Sequence, residues 1–206
     1  MTCVEPFKIR QYNMFIFYYK KGEMINMKNI LLVVDMQKGF TRYEQAVDLT
    51  ERIRQLLSDE VFDTVIATRF INAKNSVYEK LFGWYSLETE EEQSLVQGYN
   101  EYVDYTVDKS IYTCVNANFI QLLCQCNDGN YPEKVFVVGV DTDCCVLAIA
   151  TSLFEHNIRP IVLTHYCDSN GGPESHQAGL LCMKRLIGPN QLVEKMIKTK
   201  EDLSTI

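Results

Sequence analysis

The run Ile30-Leu31-Leu32-Val33-Val34 holds five apolar residues without interruption and stops at an acid, Asp35. A short, β-branched run without alternation belongs to a strand covered on both faces, which a sheet flanked by helices provides. A second such run, Lys134-Val135-Phe136-Val137-Val138-Gly139-Val140, ends at Asp141-Thr142-Asp143, a cluster suited to starting a helix. Between and after these runs the pattern alternates. Val47, Ile53, Leu56 and Leu57 make a helical stripe, with Glu51, Arg52 and Arg54 between them. The residues predict further strands over 61–68, 103–107 and 159–163. They predict helices over 118–126 and 144–156, and one from the Gly-Pro turn at 171–173 through 187. A helix start at Thr89-Glu90-Glu91-Glu92 puts acids at the positive end of the dipole. The stretch 72–86 reads as irregular, and 192–203 as a last short strand and a terminal turn. This alternation is the signature of βαβ units, hence an α/β fold with a parallel sheet between two helical layers.

The 206 residues suffice for one domain with a real core. Residues 27–206 are expected to form it, and residues 1–26 an N-terminal extension, either an accessory arm or an upstream mistranslation. A formal net charge of −7 argues against nucleic acid or an anionic membrane surface as partner. No apolar run approaches the roughly 18 residues of a membrane span. The eight cysteines include Cys144 beside Cys145 and Cys124 one residue from Cys126, spacings that match neither a zinc ribbon nor a C-x-x-C redox site. They read as mostly free thiols, which implies a reducing cytoplasm.

In an open parallel sheet, chemistry belongs just beyond the carboxyl ends of the strands, at the topological switch point. The residues there are Asp35, Lys109 and the turn from Asp141 to Cys145. Cys145 would stand in the first turn of a helix, whose free N–H groups favour a thiolate. Asp35 supplies a carboxylate to accept a proton, and Lys109 a cation. These are sufficient parts for acyl transfer.

Three blocks carry a resemblance: Val34-Asp35-Met36-Gln37 with Phe40, Asp108-Lys109 with Tyr112, and Gly139-Val140-Asp141-Thr142 leading to Cys145-Val146. In this order they resemble the signature blocks of the isochorismatase-like cysteine hydrolases, from about residue 27 to the C-terminus. His176 also resembles that family's usual helix start. The resemblance implies a six-stranded sheet in the order 3-2-1-4-5-6, Rossmann-like, and a catalytic triad of Asp35, Lys109 and Cys145. It further implies a cis peptide at Val140–Asp141, with the backbone N–H groups of Asp141 and Cys145 forming an oxyanion hole. Phe40, Trp84 and Tyr112 are the expected pocket walls.

The nicotinamidases of that superfamily carry an Asp and two His after the second strand as metal ligands. The matching segment here, 68–74, has no His, so no metal and no cofactor are expected. A cysteine nucleophile favours carbonyl chemistry over the vinyl ether of isochorismate. The reading is therefore a metal-free hydrolase of a small amide or carbamoyl compound, working through a thioester. Family analogy implies a homo-oligomer. The rivals are ether or ester hydrolysis of an isochorismate-like acid, thiol sensing by Cys144 and Cys145, and a catalytically silent scaffold. Dinucleotide binding is disfavoured, because no G-x-G-x-x-G follows a strand.

Overall fold

The computed structural model describes residues 27–41 and 44–206, without the side chains of 44–46. The expected extension, 1–26, lies outside the described residues. Six parallel strands form one sheet in the order β3-β2-β1-β4-β5-β6. They are β1 (Ile30–Val34), β2 (Thr64–Phe70), β3 (Tyr105–Lys109), β4 (Lys134–Gly139), β5 (Arg159–Cys167) and β6 (Leu192–Val193). The helices are α1 (Glu44–Ser58), α2 (Glu90–Gln93), α3 (Ala117–Cys126), α4 (Leu147–Glu155), α5 (Pro173–Leu186) and α6 (Lys200–Ser204).

The two apolar runs found in the sequence are the two central strands, and every residue of β1 is buried. Successive side chains point to opposite faces. Leu31 and Val33 accordingly pack with Leu49, Ile53 and Leu56 of α1. Ile30, Leu32 and Val34 pack with Phe119 of α3, Ile149 of α4 and Met183 of α5. Local signals fix the helix ends. Asn116 accepts from the N–H groups of Asn118 and Phe119 at the start of α3, and Thr89 with Glu92 forms a capping box on α2.

Some boundaries differ from expectation. β3 begins two residues later than predicted and includes Lys109 as its last residue. It is an edge strand whose Tyr105, Thr106 and Asp108 are exposed, so no apolar run marks it. β5 continues four residues beyond the predicted end, to Cys167. The stretch 72–86 contains a π-helical turn, Tyr78–Phe82. A second π-turn, Thr142–Val146, stands where the start of a regular helix was expected.

Sheet order reverses between β1 and β4, and the two strands nearly touch there. Gly139 has a φ of 116°, and a Cβ on it would lie 2.2 Å from the Val34 carbonyl oxygen. That oxygen is held by the Val140 N–H at 3.0 Å. Gly139→Ala is therefore expected to cost about 2–4 kcal/mol, because neither partner is a flexible side chain that can give way. Urea unfolding at unchanged slope measures it, and a shift under about 0.5 kcal/mol would mean that the two strands part easily.

Candidate active site

The sheet's carboxyl edge brings Asp35, Lys109 and Cys145 together. Asp35 follows β1 in the left-handed region (φ 51°), which Asp tolerates better than most residues. Thr68 on β2 holds it twice: the Thr68 hydroxyl donates to Asp35 Oδ1 at 2.6 Å, and its oxygen accepts from the Asp35 N–H at 3.1 Å. From the end of β3, Lys109 Nζ lies 2.7 Å from Asp35 Oδ2. It also donates to Cys145 Sγ and to the Ile111 carbonyl, each at 3.2 Å. The ammonium thus combines one ion pair with two hydrogen bonds. All three side chains are buried, with residue exposures of 0% for Asp35, 6% for Lys109 and 5% for Cys145.

Burial pulls the Lys109 pKa down, but its contacts with Asp35 and with the Cys145 sulfur outweigh this and hold it above the ordinary lysine value. The thiol behaves otherwise than its sequence position implied. Burial pushes the Cys145 thiol up and Asp35 adds to this, while Lys109 pulls it back only in part. Burial and Asp35 thus work against the pull of the helix start on this thiol.

A dense network supports the turn that carries the sulfur. The Val140–Asp141 peptide is cis. The Asp141 carbonyl accepts from the amides of Cys144 (3.0 Å) and Val146 (3.1 Å), on either side of Cys145. Asp141 Oδ1 accepts from both the backbone N–H and Nδ2 of Asn170, each at 2.8 Å. The Thr142 N–H donates to the Asp168 carbonyl at 3.0 Å, and its hydroxyl lies 2.8 Å from His176 Nδ1. The Ser169 hydroxyl donates to Asp143 at 2.5 Å. Helix α5 comes so close that a Cβ on Gly179 would stand 2.8 Å from the Asp143 backbone. The loop between β5 and α5 thus grips the turn from behind.

Burial, with the neighbouring Asp143 also contributing, pushes the Asp141 carboxyl up to about 6 against the downward pull of Asn170. The folded state then keeps this proton longer than the unfolded chain does, so stability falls as pH rises from about 4 to about 6. The loss has an upper limit of about 3 kcal/mol. Asp141→Asn keeps an acceptor for Asn170 and removes the charge. Its denaturation midpoint should be flatter across that window, and a wild-type slope in the variant would assign the titration to another group.

Aromatic rings lead outward from the lysine. Lys109 Nζ sits 4.9 Å from the centre of the Phe70 ring. Phe70 meets Tyr78 edge-on at 5.0 Å, and Tyr78 meets Tyr112 edge-on at 5.5 Å. Phe40 stacks on Trp84 at 6.0 Å, and Trp84 lies 5.7 Å from Phe70. Of the three expected pocket residues, Phe40 and Trp84 touch Phe70 directly, while Tyr112 reaches it through Tyr78. Sequence reasoning missed Thr68, and it expected the segment 70–85 to choose the substrate without singling out Phe70 or Tyr78 within it. It also missed the further role of Gln37, whose amide donates to the Phe70 carbonyl and whose oxygen accepts from the Phe70 N–H. No local pattern marks these four.

The segment after β2 does not fit a metal. Asn72 Nδ2 donates to the Trp84 and Ser86 carbonyls, and its Oδ1 accepts from Ser76. Among the described residues no three His, Cys, Asp or Glu stand close enough to share an ion. A groove of about 450 Å³ beside Arg52, His165 and Met196 lies on the α1 face of the sheet and contains none of these site groups.

A family model, the isochorismatase domain, matches residues 29–199. No curated protein matches the chain. Among solved structures, an isochorismatase-like hydrolase from Alkaliphilus metalliredigens is 16% identical with a TM-score of 0.69, covering 86% of this chain and 98% of its own. A nicotinamidase from Staphylococcus aureus is 18% identical at TM-score 0.62, with coverages of 82% and 98%. A pyrazinamidase from Pyrococcus horikoshii, solved with zinc, is 18% identical at TM-score 0.65, with coverages of 81% and 97%. At such identities these likenesses speak for the fold.

Proposed function

The chain belongs to the isochorismatase family of hydrolases, and on that premise we propose that it is a metal-free cysteine hydrolase cleaving a C–N bond of a small amide or carbamoyl compound. One observation carries the proposal: a single ammonium, Lys109 Nζ, touches both the Asp35 carboxylate and the Cys145 sulfur, all three buried. No helix among the described residues is long and apolar enough to cross a membrane. Seven free cysteines among those residues favour the cytoplasm. A homo-oligomer belongs to the same proposal and is checked by the mass in solution.

Asp35 takes the proton of the Cys145 thiol as the sulfur attacks the carbonyl carbon, with Lys109 offsetting the anionic charge that passes between them. The carbonyl oxygen becomes an oxyanion held by the N–H groups of Asp141 and Cys145. Collapse breaks the C–N bond, and Asp35 returns its proton to the departing nitrogen. An acyl group remains on Cys145 as a thioester. Water, deprotonated by Asp35, attacks it, and the released thiolate recovers a proton as the acid leaves.

A panel of small amides and carbamoyl compounds, scored for ammonia or amine release, tests this reading. The expected positive substrate also yields a hydroxamate when hydroxylamine intercepts the thioester. Release of pyruvate from isochorismate, with no amide cleaved, would overturn it.

A further inference from the structure

We infer that the site takes a substrate whose acyl part is uncharged and apolar, aryl or alkyl, and rejects one bearing a carboxylate. The inference rests on Cys145 as the reacting atom.

The first support is the state of the cation. Lys109 is already committed: its ammonium pairs with the Asp35 carboxylate and donates to Cys145 and the Ile111 carbonyl, so its charge is matched before a substrate arrives. Among the described residues, the charged or ionisable groups acting on Cys145, Tyr78 and Tyr112 are Asp35, Lys109, one another and Cys144, with no second cation among them. Arg69, the cation in the register next to Lys109, is engaged by both oxygens of Asp108 at 2.7 and 2.8 Å. Among these groups an anionic acyl part would be desolvated beside the Asp35 carboxylate with its only cation already paired, which costs far more than leaving it in water.

The second support is the wall. The contacts that begin at Phe70 under Lys109 pass through Tyr78 to two exposed rings, Tyr112 at 41% and Phe82 at 70%. Leu81 and Ile111 beside them are 78% and 56% exposed. Apolar surface that starts at the reacting groups and continues into solvent is suited to covering an apolar substituent.

Alkylation tests this on the thiol itself. Cys145 is treated separately with iodoacetate, iodoacetamide and N-benzyl-2-iodoacetamide, and each rate is divided by that of glutathione with the same reagent. Peptide mass spectrometry separates Cys145 from the other thiols. The expected order is benzyl reagent about tenfold above iodoacetamide, and iodoacetate about tenfold below it. Phe82→Ser should lose most of the benzyl advantage, read as the ratio of the benzyl rate to the iodoacetamide rate, because its ring is largely in water and the change spares the core. Iodoacetate reacting as fast as iodoacetamide, no benzyl advantage, or a Cys145 inert to all three reagents overturns the inference. The order is read without turnover, so it stands or falls separately from hydrolysis, whose own test is ammonia release.

Discussion

Cys145→Ala is expected to lose hydrolysis by a factor of at least about 10⁴ while the protein stays folded. Alanine deletes only the sulfur and leaves the backbone in place. On the proposed mechanism any residual rate would report the N–H groups of Asp141 and residue 145 alone, and the thioester trapped by hydroxylamine must vanish with the thiol. The fold should survive, because the residue packs among Val146, Ile149 and Cys114 in a core of large aliphatic side chains. Removing one buried sulfur atom there costs about 1 kcal/mol, read as a small fall in the thermal midpoint. Cys145→Ser sharpens the test. A hydroxyl can still accept from Lys109, so it restores packing without restoring a thiol's nucleophilicity, and activity should stay near the alanine level. Turnover above a tenth of wild type in either variant would remove Cys145 from the chemistry.

The reason for placing Cys145 in a pocket was visible along the chain, but its electrostatics were not. A strand buried on both faces announces itself by composition, so β1 and β4 could be read, and the residues just beyond them followed. β3 could be located only loosely, because an edge strand with Tyr105, Thr106 and Asp108 in solvent has no reason to be apolar. The thiol was expected to ionise at a helix start. That expectation weighed the N–H groups, which are local, and left out burial and the Asp35 carboxylate, which depend on how β1 and β4 meet. The same limit explains Phe70, Tyr78, Thr68 and Gln37. Each is an ordinary residue in its own neighbourhood and gains its role from partners 33 or more residues away, as in the Thr68–Asp35 and Gln37–Phe70 bonds, or from rings contributed by two loops, as at Tyr78 and Tyr112.

Lys109→Met is expected to abolish activity and to destabilise the fold by about 3–5 kcal/mol, the cost of stranding a buried charge. Methionine fills much the same volume, so the loss cannot be charged to a cavity. It comes from Asp35, which is fully buried and would keep the Thr68 hydroxyl but lose its cation. Asp35→Asn strands the opposite charge, because Lys109 would then face a neutral amide, the Ile111 carbonyl and a thiol. The double variant Asp35→Asn with Lys109→Met leaves neither charge behind. Its destabilisation should therefore be smaller than the sum of the single losses by about 2 kcal/mol or more, measured by urea unfolding of all four proteins. Activity should be absent from all three variants, since each lacks the proton acceptor, the cation or both. Stability would thus recover in the double variant while catalysis does not, separating the pair's structural part from its chemical one. Strict additivity would mean that the two side chains do not depend on each other in the folded protein. The 2.7 Å contact between Lys109 and Asp35 would then be no guide to the working site.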